Sequence, residues 1–186
     1  MRECVMKRML NVAMMFLLAM SVVYSFAGTP KYKYVGVAKC KTCHNMKKIG
    51  KQYTIWKNGP HAKAMETLKS KKSLDYAKAH GIKDPSTDPK CTKCHATMAS
   101  VKKEEIDPKG KLTMKEGVEC ESCHGPGSVY RKRSIMINHE KALANGLILP
   151  TKEVCVRCHN KENPFYKPFD FKTYAAKIAH PIPKKK

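Results

Sequence analysis

A chain of 186 residues with 37 Lys and Arg against 15 Asp and Glu carries a formal net charge of +22. Its length suits one domain, but its apolar runs are short and lysine is abundant, which excludes a fold resting on a conventional hydrophobic core alone. Nine cysteines in such a chain point to another source of cohesion: metals, disulfides or covalent cofactors.

In chain order, the first segment reads as a secretory signal peptide. Arg2, Lys7 and Arg8 stand against the single acid Glu3, residues 9–26 are uncharged and almost wholly apolar, and Ser25-Phe26-Ala27 has the small-x-small form of a signal peptidase site. Cleavage after Ala27 leaves residues 28–186 as a single domain. The rival is an uncleaved anchor, since the apolar run is just long enough to span a bilayer.

Every cysteine after Cys4 falls into a Cys-x-x-Cys pair followed at once by histidine: Cys40, Cys43 and His44; Cys91, Cys94 and His95; Cys120, Cys123 and His124; Cys155, Cys158 and His159. This is the attachment pattern of haem c. Two thiols add to the two vinyl groups on one porphyrin edge, and the adjoining histidine turns under the ring as proximal iron ligand. Zinc knuckles and thioredoxin-like redox sites also use Cys-x-x-Cys, but neither requires the adjoining histidine, and here it occurs four times in four. No cysteine of residues 28–186 is left over for a disulfide or a reactive thiol. The expected cofactors are therefore four haems c, attached after export.

Four of the eight histidines are proximal ligands, and four are spare: His61, His80, His139 and His180. The equal numbers point to histidine on both faces of every iron. Methionine is the alternative sixth ligand, and Met46, Met65, Met98, Met114 and Met136 follow the signal segment. His61 follows Pro60 at the start of a predicted helix continued by Ala62, Ala64, Met65 and Leu68. His80 ends a predicted helix over 74–79, with Ser73 as its N-cap and Gly81 as its stop; a histidine there also complements the helix dipole. Turn-rich residues 84–89 and a charged loop over 102–111 flank the second motif. His139 falls within a predicted helix over 129–145 that ends at Gly146. An aromatic loop with two prolines covers 160–170. His180 closes a predicted helix over 171–179 and precedes Pro181.

No period-2 alternation or hairpin signal appears, so the fold class is mostly α with extensive loops and little or no sheet. The motifs recur at cysteine intervals of 51, 29 and 35 residues, too unequal for a solenoid. At this density the haems form the core, and Trp56, Tyr130, Phe165, Tyr166, Phe169, Phe171 and Tyr174 pack around them. The residual positive charge suits an acidic redox partner, with association to an anionic membrane surface as a further reading. Export and haem argue against nucleic acid as a partner.

Three segments carry a resemblance: Trp56-Lys57-Asn58-Gly59-Pro60-His61-Ala62-Lys63-Ala64-Met65; Gly117-Val118-Glu119-Cys120-Glu121-Ser122-Cys123-His124-Gly125-Pro126-Gly127; and Cys155 to Asn160 with Asn163-Pro164-Phe165 and His180-Pro181. Together they resemble the tetrahaem cytochrome c-554 family over most of residues 34–183. The resemblance implies a helical fold with haems stacked in close pairs. It also implies periplasmic electron shuttling, as in ammonia oxidisers where hydroxylamine oxidoreductase is the partner. It implies crossed ligation: His139 on the haem of His44, His61 on that of His159, and His180 on that of His124. The haem of His95 can lack a strong sixth ligand in the family, whereas here His80 is available to it, from the same chain or a neighbouring subunit. The leading expectation is an electron carrier without catalytic residues. The alternatives are a reductase of nitric oxide, nitrite or hydroxylamine at an open second haem, and a self-assembling subunit similar to filament-forming tetrahaem cytochromes.

Overall fold

The computed structural model describes residues 31–182; the signal peptide reading falls outside them, as do the last four residues of the basic tail. From Tyr32 onward the chain is one compact unit. It is built from ten α-helices among the described residues, each of four to nine residues: α1 Ala38–His44, α2 Gln52–Asn58, α3 Ala64–Thr67, α4 Lys71–Ala79, α5 Pro89–His95, α6 Cys120–His124, α7 Arg133–Met136, α8 His139–Ala144, α9 Lys152–Val156 and α10 Phe171–Ile178. The single strand-like contact among the described residues is an isolated bridge between Tyr34 and Ile106. The expected class, mostly helical with long loops, is what the chain adopts. No helix of the described residues is long and apolar enough to cross a membrane.

Helices this short do not persist alone in water, and their ends are specified residue by residue. Asp88 accepts from the Lys90 amide to open α5, with Pro89 at the first helical position. Asp170 accepts from the Thr173 amide to open α10. Gly81, at φ +66°, ends α4 as expected. Two expected boundaries are corrected. The cap of α4 is Ser70, whose Oγ accepts from the Ser73 amide at 3.3 Å, because Lys71 and Lys72 extend the helix by a turn. The segment 129–145 is not one helix: Asn138 turns its side chain to the Lys141 amide and starts a new one, α8. His139 therefore stands at a helix start and not in its middle.

The buried apolar residues are Val35, Val37, Ala62, Leu68, Ala77, Ala96, Leu112, Tyr130 and Ala142. Four of these are alanines, so side chains alone supply little of a core. At its centre lie two carboxylates instead. Glu119 and Glu121 are each 1% exposed. Glu121 accepts from the amides of Gly127 (2.6 Å), Gly36 (2.7 Å) and Val35 (3.0 Å), tying the start of the unit to α6.

Candidate haem centres

All four motifs lie on helices or helical turns. Motif 1 is within α1, motif 2 ends α5, motif 3 is α6, and motif 4 runs from α9 into a turn in which the His159 amide donates to the Cys155 carbonyl. On a helix, positions i, i+3 and i+4 share a face. Helical winding thus sets both thiols and the imidazole of each motif on one side, as attachment along a porphyrin edge with a ligand beneath requires. Among the described residues no two cysteines are joined in a disulfide, and no three of the His, Cys, Asp and Glu side chains converge as a bare metal ion would require.

The motifs meet in pairs that ignore chain order. The Cys40 and Cys120 thiols lie beside each other, bringing motifs 1 and 3 together, and those of Cys94 and Cys158 do the same for motifs 2 and 4. Motifs 3 and 4 touch through Arg157, whose guanidinium donates to the Ser122 carbonyl at 2.7 Å. Burial pushes the thiols of Cys91, Cys123 and Cys155 up, and takes Cys158, beside Cys94, to about 12.

Two of the motif histidines are held in the tautomer that metal coordination uses. His95 Nδ1 lies 2.7 Å from the Ala64 carbonyl and 3.3 Å from Thr67 Oγ1; His124 Nδ1 lies 3.0 Å from the Ile148 carbonyl. A carbonyl only accepts, so Nδ1 carries the hydrogen and the Nε2 lone pair is left for iron. Burial lowers the pKa of His44, His61, His124 and His159, favouring the neutral imidazole that coordinates. The aromatic loop closes over the fourth motif: Phe169 stacks on the His159 ring at 4.9 Å, with Tyr174 at 6.0 Å. A cleft of about 220 Å³ beside His159 is lined by Phe165, Tyr166 and Tyr174.

Two pairs of imidazole rings are brought close together, one at an interplanar angle of 75° and the other at 45°. His61 and His159 have centroids 6.1 Å apart, and His124 and His180 are 5.9 Å apart. With an imidazole–metal bond of about 2.0 Å on each side, and roughly 1 Å from ring nitrogen to ring centre, opposed ligands of one metal lie about 6 Å apart. Both pairs fit that span. His61 is held there by its carbonyl, which accepts from the Val118 amide at 3.1 Å, while Trp56 Nε1 donates to the Val118 carbonyl at 2.9 Å. The other two spare histidines differ. His139 is exposed at the start of α8 and makes no ring contact with His44 among the described residues. His80 is exposed, stacks on Tyr76 at 3.9 Å, places Nδ1 2.8 Å from the Tyr76 carbonyl and makes no ring contact with His95.

Three further residues of the site were not singled out in the sequence: Glu119, Glu121 and Gln52. The two carboxylates flank Cys120, and two acids beside a haem cysteine in so basic a chain are a legible oddity. Nothing near Gln52 in sequence marks it, because one of its partners, Pro181, is 129 residues away.

Paired thiols and an adjoining imidazole on one helix face are the arrangement that covalent attachment of haem c needs, and the chain is similar to c-type cytochromes that have this pattern. The family described as cytochrome c554 and c-prime matches residues 39–125. Cytochrome c-554 of Nitrosomonas europaea is 40% identical over 103 residues, which are 53% of this chain and 40% of that protein. The chain thus aligns with about two fifths of the length of this curated relative. The solved structure of the reduced state of cytochrome c554 from Nitrosomonas europaea superposes with a TM-score of 0.51 at 26% identity, covering 78% of each chain. The resemblance to the cytochrome c-554 family holds in sequence and in fold.

Proposed function

We propose that this chain is an exported tetrahaem cytochrome that carries electrons through four closely packed haems, anchored at Cys40/Cys43, Cys91/Cys94, Cys120/Cys123 and Cys155/Cys158 with His44, His95, His124 and His159 as proximal ligands. The observation that carries this reading is the closeness of His61 to His159 and of His180 to His124, with ring centroids 6.1 and 5.9 Å apart, about the span of one metal between two imidazoles. The thiol contacts support a spatial order of motif 1, motif 3, motif 4, motif 2. Adjacent cofactors in that order give electrons a continuous route without substrate chemistry. The basic surface suits an acidic redox partner, exposed to the periplasm or cell surface. The test is the mass of the purified holoprotein together with its low-temperature EPR spectrum. Residues 28–186 plus four haems, with low-spin ferric signals from the His124 and His159 haems, are expected; fewer haems or bound zinc would overturn the reading.

A second reading, reduction of a small nitrogen oxide or hydroxylamine at the His95 haem, is favoured by the orientation of His80. Its ring stacks on its own helix at Tyr76 and not on His95. A high-spin ferric signal in the unmutated protein that collapses on adding nitric oxide supports this reading. Four low-spin irons that do not take up nitric oxide refute it, and assign His80 to that iron, from this chain or a neighbouring one.

A further inference from the structure

His44 and His180 are tied together by a glutamine. Gln52, the first residue of α2, is 6% exposed. Its Nε2 donates to the carbonyls of Ile49 at 2.5 Å and Pro181 at 3.0 Å. Both are acceptors only, so the amide nitrogen is held on their side and Oε1 is turned to His44 Nδ1, 3.4 Å away. An amide oxygen only accepts. His44 Nδ1 must then carry the hydrogen, which leaves the Nε2 lone pair free, the tautomer that binds iron. The Pro181 carbonyl also lies 3.5 Å from His180 Nδ1. One carbonyl thus receives both the glutamine and the second histidine.

The backbone is bent to build this network. Lys51, immediately before Gln52, has φ +51° and is the one non-glycine residue with positive φ among the described residues. Such a conformation persists only where its surroundings impose it. At Gly50, with φ +111°, a Cβ would lie 3.1 Å from both Gln52 Nε2 and Pro181 Cβ. A left-handed lysine and a glycine without room for a side chain together aim one amide at one imidazole.

We propose that Gln52 is a positioning residue for the His44 iron ligand, fixing its tautomer and electron richness, and that through the Pro181 carbonyl it joins that ligand to the segment bearing His180. The inference rests on the tetrahaem reading and adds a consequence: the ligand spheres of the haems on His44 and His124 are mechanically linked. An imidazole that donates to a stronger acceptor is a more basic ligand and stabilises ferric iron.

The experiment is a spectropotentiometric titration with EPR of the holoprotein and of Gln52→Met, Gln52→Glu and Thr54→Ala. Thr54 hydrogen-bonds Asn45 on the exposed side and is the control. Gln52→Met removes the acceptor, and one haem should become easier to reduce. Its reduced-to-oxidised ratio at fixed solution potential should rise about two- to tenfold, roughly 20–60 mV for a one-electron couple. Gln52→Glu supplies an ionised acceptor of the same shape and should move the same haem the opposite way. The g-values of one low-spin signal should move in both, and Thr54→Ala should leave all four haems unchanged. A merely structural role predicts shifts of one sign in both variants, or none, and either result overturns the proposal. If Gln52→Met does not accumulate as holoprotein, Gln52→Glu decides alone: a harder-to-reduce haem supports the proposal, and no shift or the reverse refutes it. Failure of the tetrahaem reading appears separately, as too few haems in the unmutated protein, and removes the inference with it.

Discussion

Glu119 and Glu121 occupy the centre of the molecule with one good set of donors between them. Burial raises the pKa of Glu121, and three backbone amides that face it limit that rise. Glu119 has no hydrogen-bond donor to either oxygen, and burial, with the charge of Glu121, pushes it up to about 10. Glu119 is therefore the carboxylic acid of the pair, and its hydroxyl can donate to the Glu121 carboxylate. An unfolded chain releases this proton near 4.5, the ordinary value. Below that pH both states hold the proton and the group does not affect stability. Between about 4.5 and 10 the native state holds a proton that the unfolded state has lost, so native stability falls as pH rises. The slope is about 1.4 kcal/mol per pH unit at full effect. Glu119→Gln keeps the shape and the donor toward Glu121 but does not titrate. Denaturant unfolding of both holoproteins at matched pH from 5 to 8 should give a gap that widens by up to about 4 kcal/mol in favour of glutamine. Titrations of the propionates and histidines are common to the two proteins and cancel in the gap. Parallel stability curves would refute a protonated Glu119.

His61→Ala and His180→Ala should each turn one low-spin ferric haem high-spin and open one ferrous haem to carbon monoxide, read by EPR and by the visible spectrum. Gly117 has φ +66°, and a Cβ there would sit 2.7 Å from the His61 carbonyl. Gly117→Ala should therefore lower stability by about 1–3 kcal/mol and perturb the same haem as His61→Ala, read by thermal unfolding and EPR. Electron exchange with an acidic redox protein should slow as salt rises, since exposed charges are screened over about 8 Å at physiological ionic strength. A stopped-flow rate that does not change with salt would remove the steering role of the lysines.

The attachment motifs were legible because each is local: Cys-x-x-Cys-His spans little more than one helical turn, and nothing distant is needed to read it. The lack of sheet and the helix stops at Gly81 and Gly146 were legible for the same reason. Boundaries failed where side chains competed with the backbone. Ser70 and Ser73 are equally good caps by type, and only the helix-forming Lys71 and Lys72 between them favour the earlier one. Asn138 interrupts a plausible helix by capping the next, which moves His139 from a helix interior to an exposed helix start. The close pairs His61–His159 and His124–His180 came from the resemblance, since no pattern in one sequence can pair residues 98 and 56 positions apart. Gln52 was out of reach because a buried glutamine is recognised by its partners, and one of these is a backbone carbonyl near the other end of the chain.

The same facts explain why the fold is tolerable with so little apolar packing. Ten helices of at most nine residues cannot stand without tertiary support, and the buried side chains that would supply it are chiefly alanines and valines. What the chain does bury with care is polar and anchored to the motifs: Glu121 against the amides of Val35, Gly36 and Gly127, Thr97 Oγ1 against the Glu119 amide at 2.9 Å, and Gln52 against His44. These contacts fix the motif helices relative to one another, so they hold the planes on which cofactors would sit. On the proposed reading haem would be the apolar mass of the interior, and polypeptide bonds would set its spacing. Electron transfer depends on that spacing, and a core of flexible side chains would hold it less rigidly than short helices pinned by buried hydrogen bonds. On the proposed reading the scarcity of hydrophobic residues and the density of motifs are one property: the cofactors that would move electrons would also be what the chain folds around.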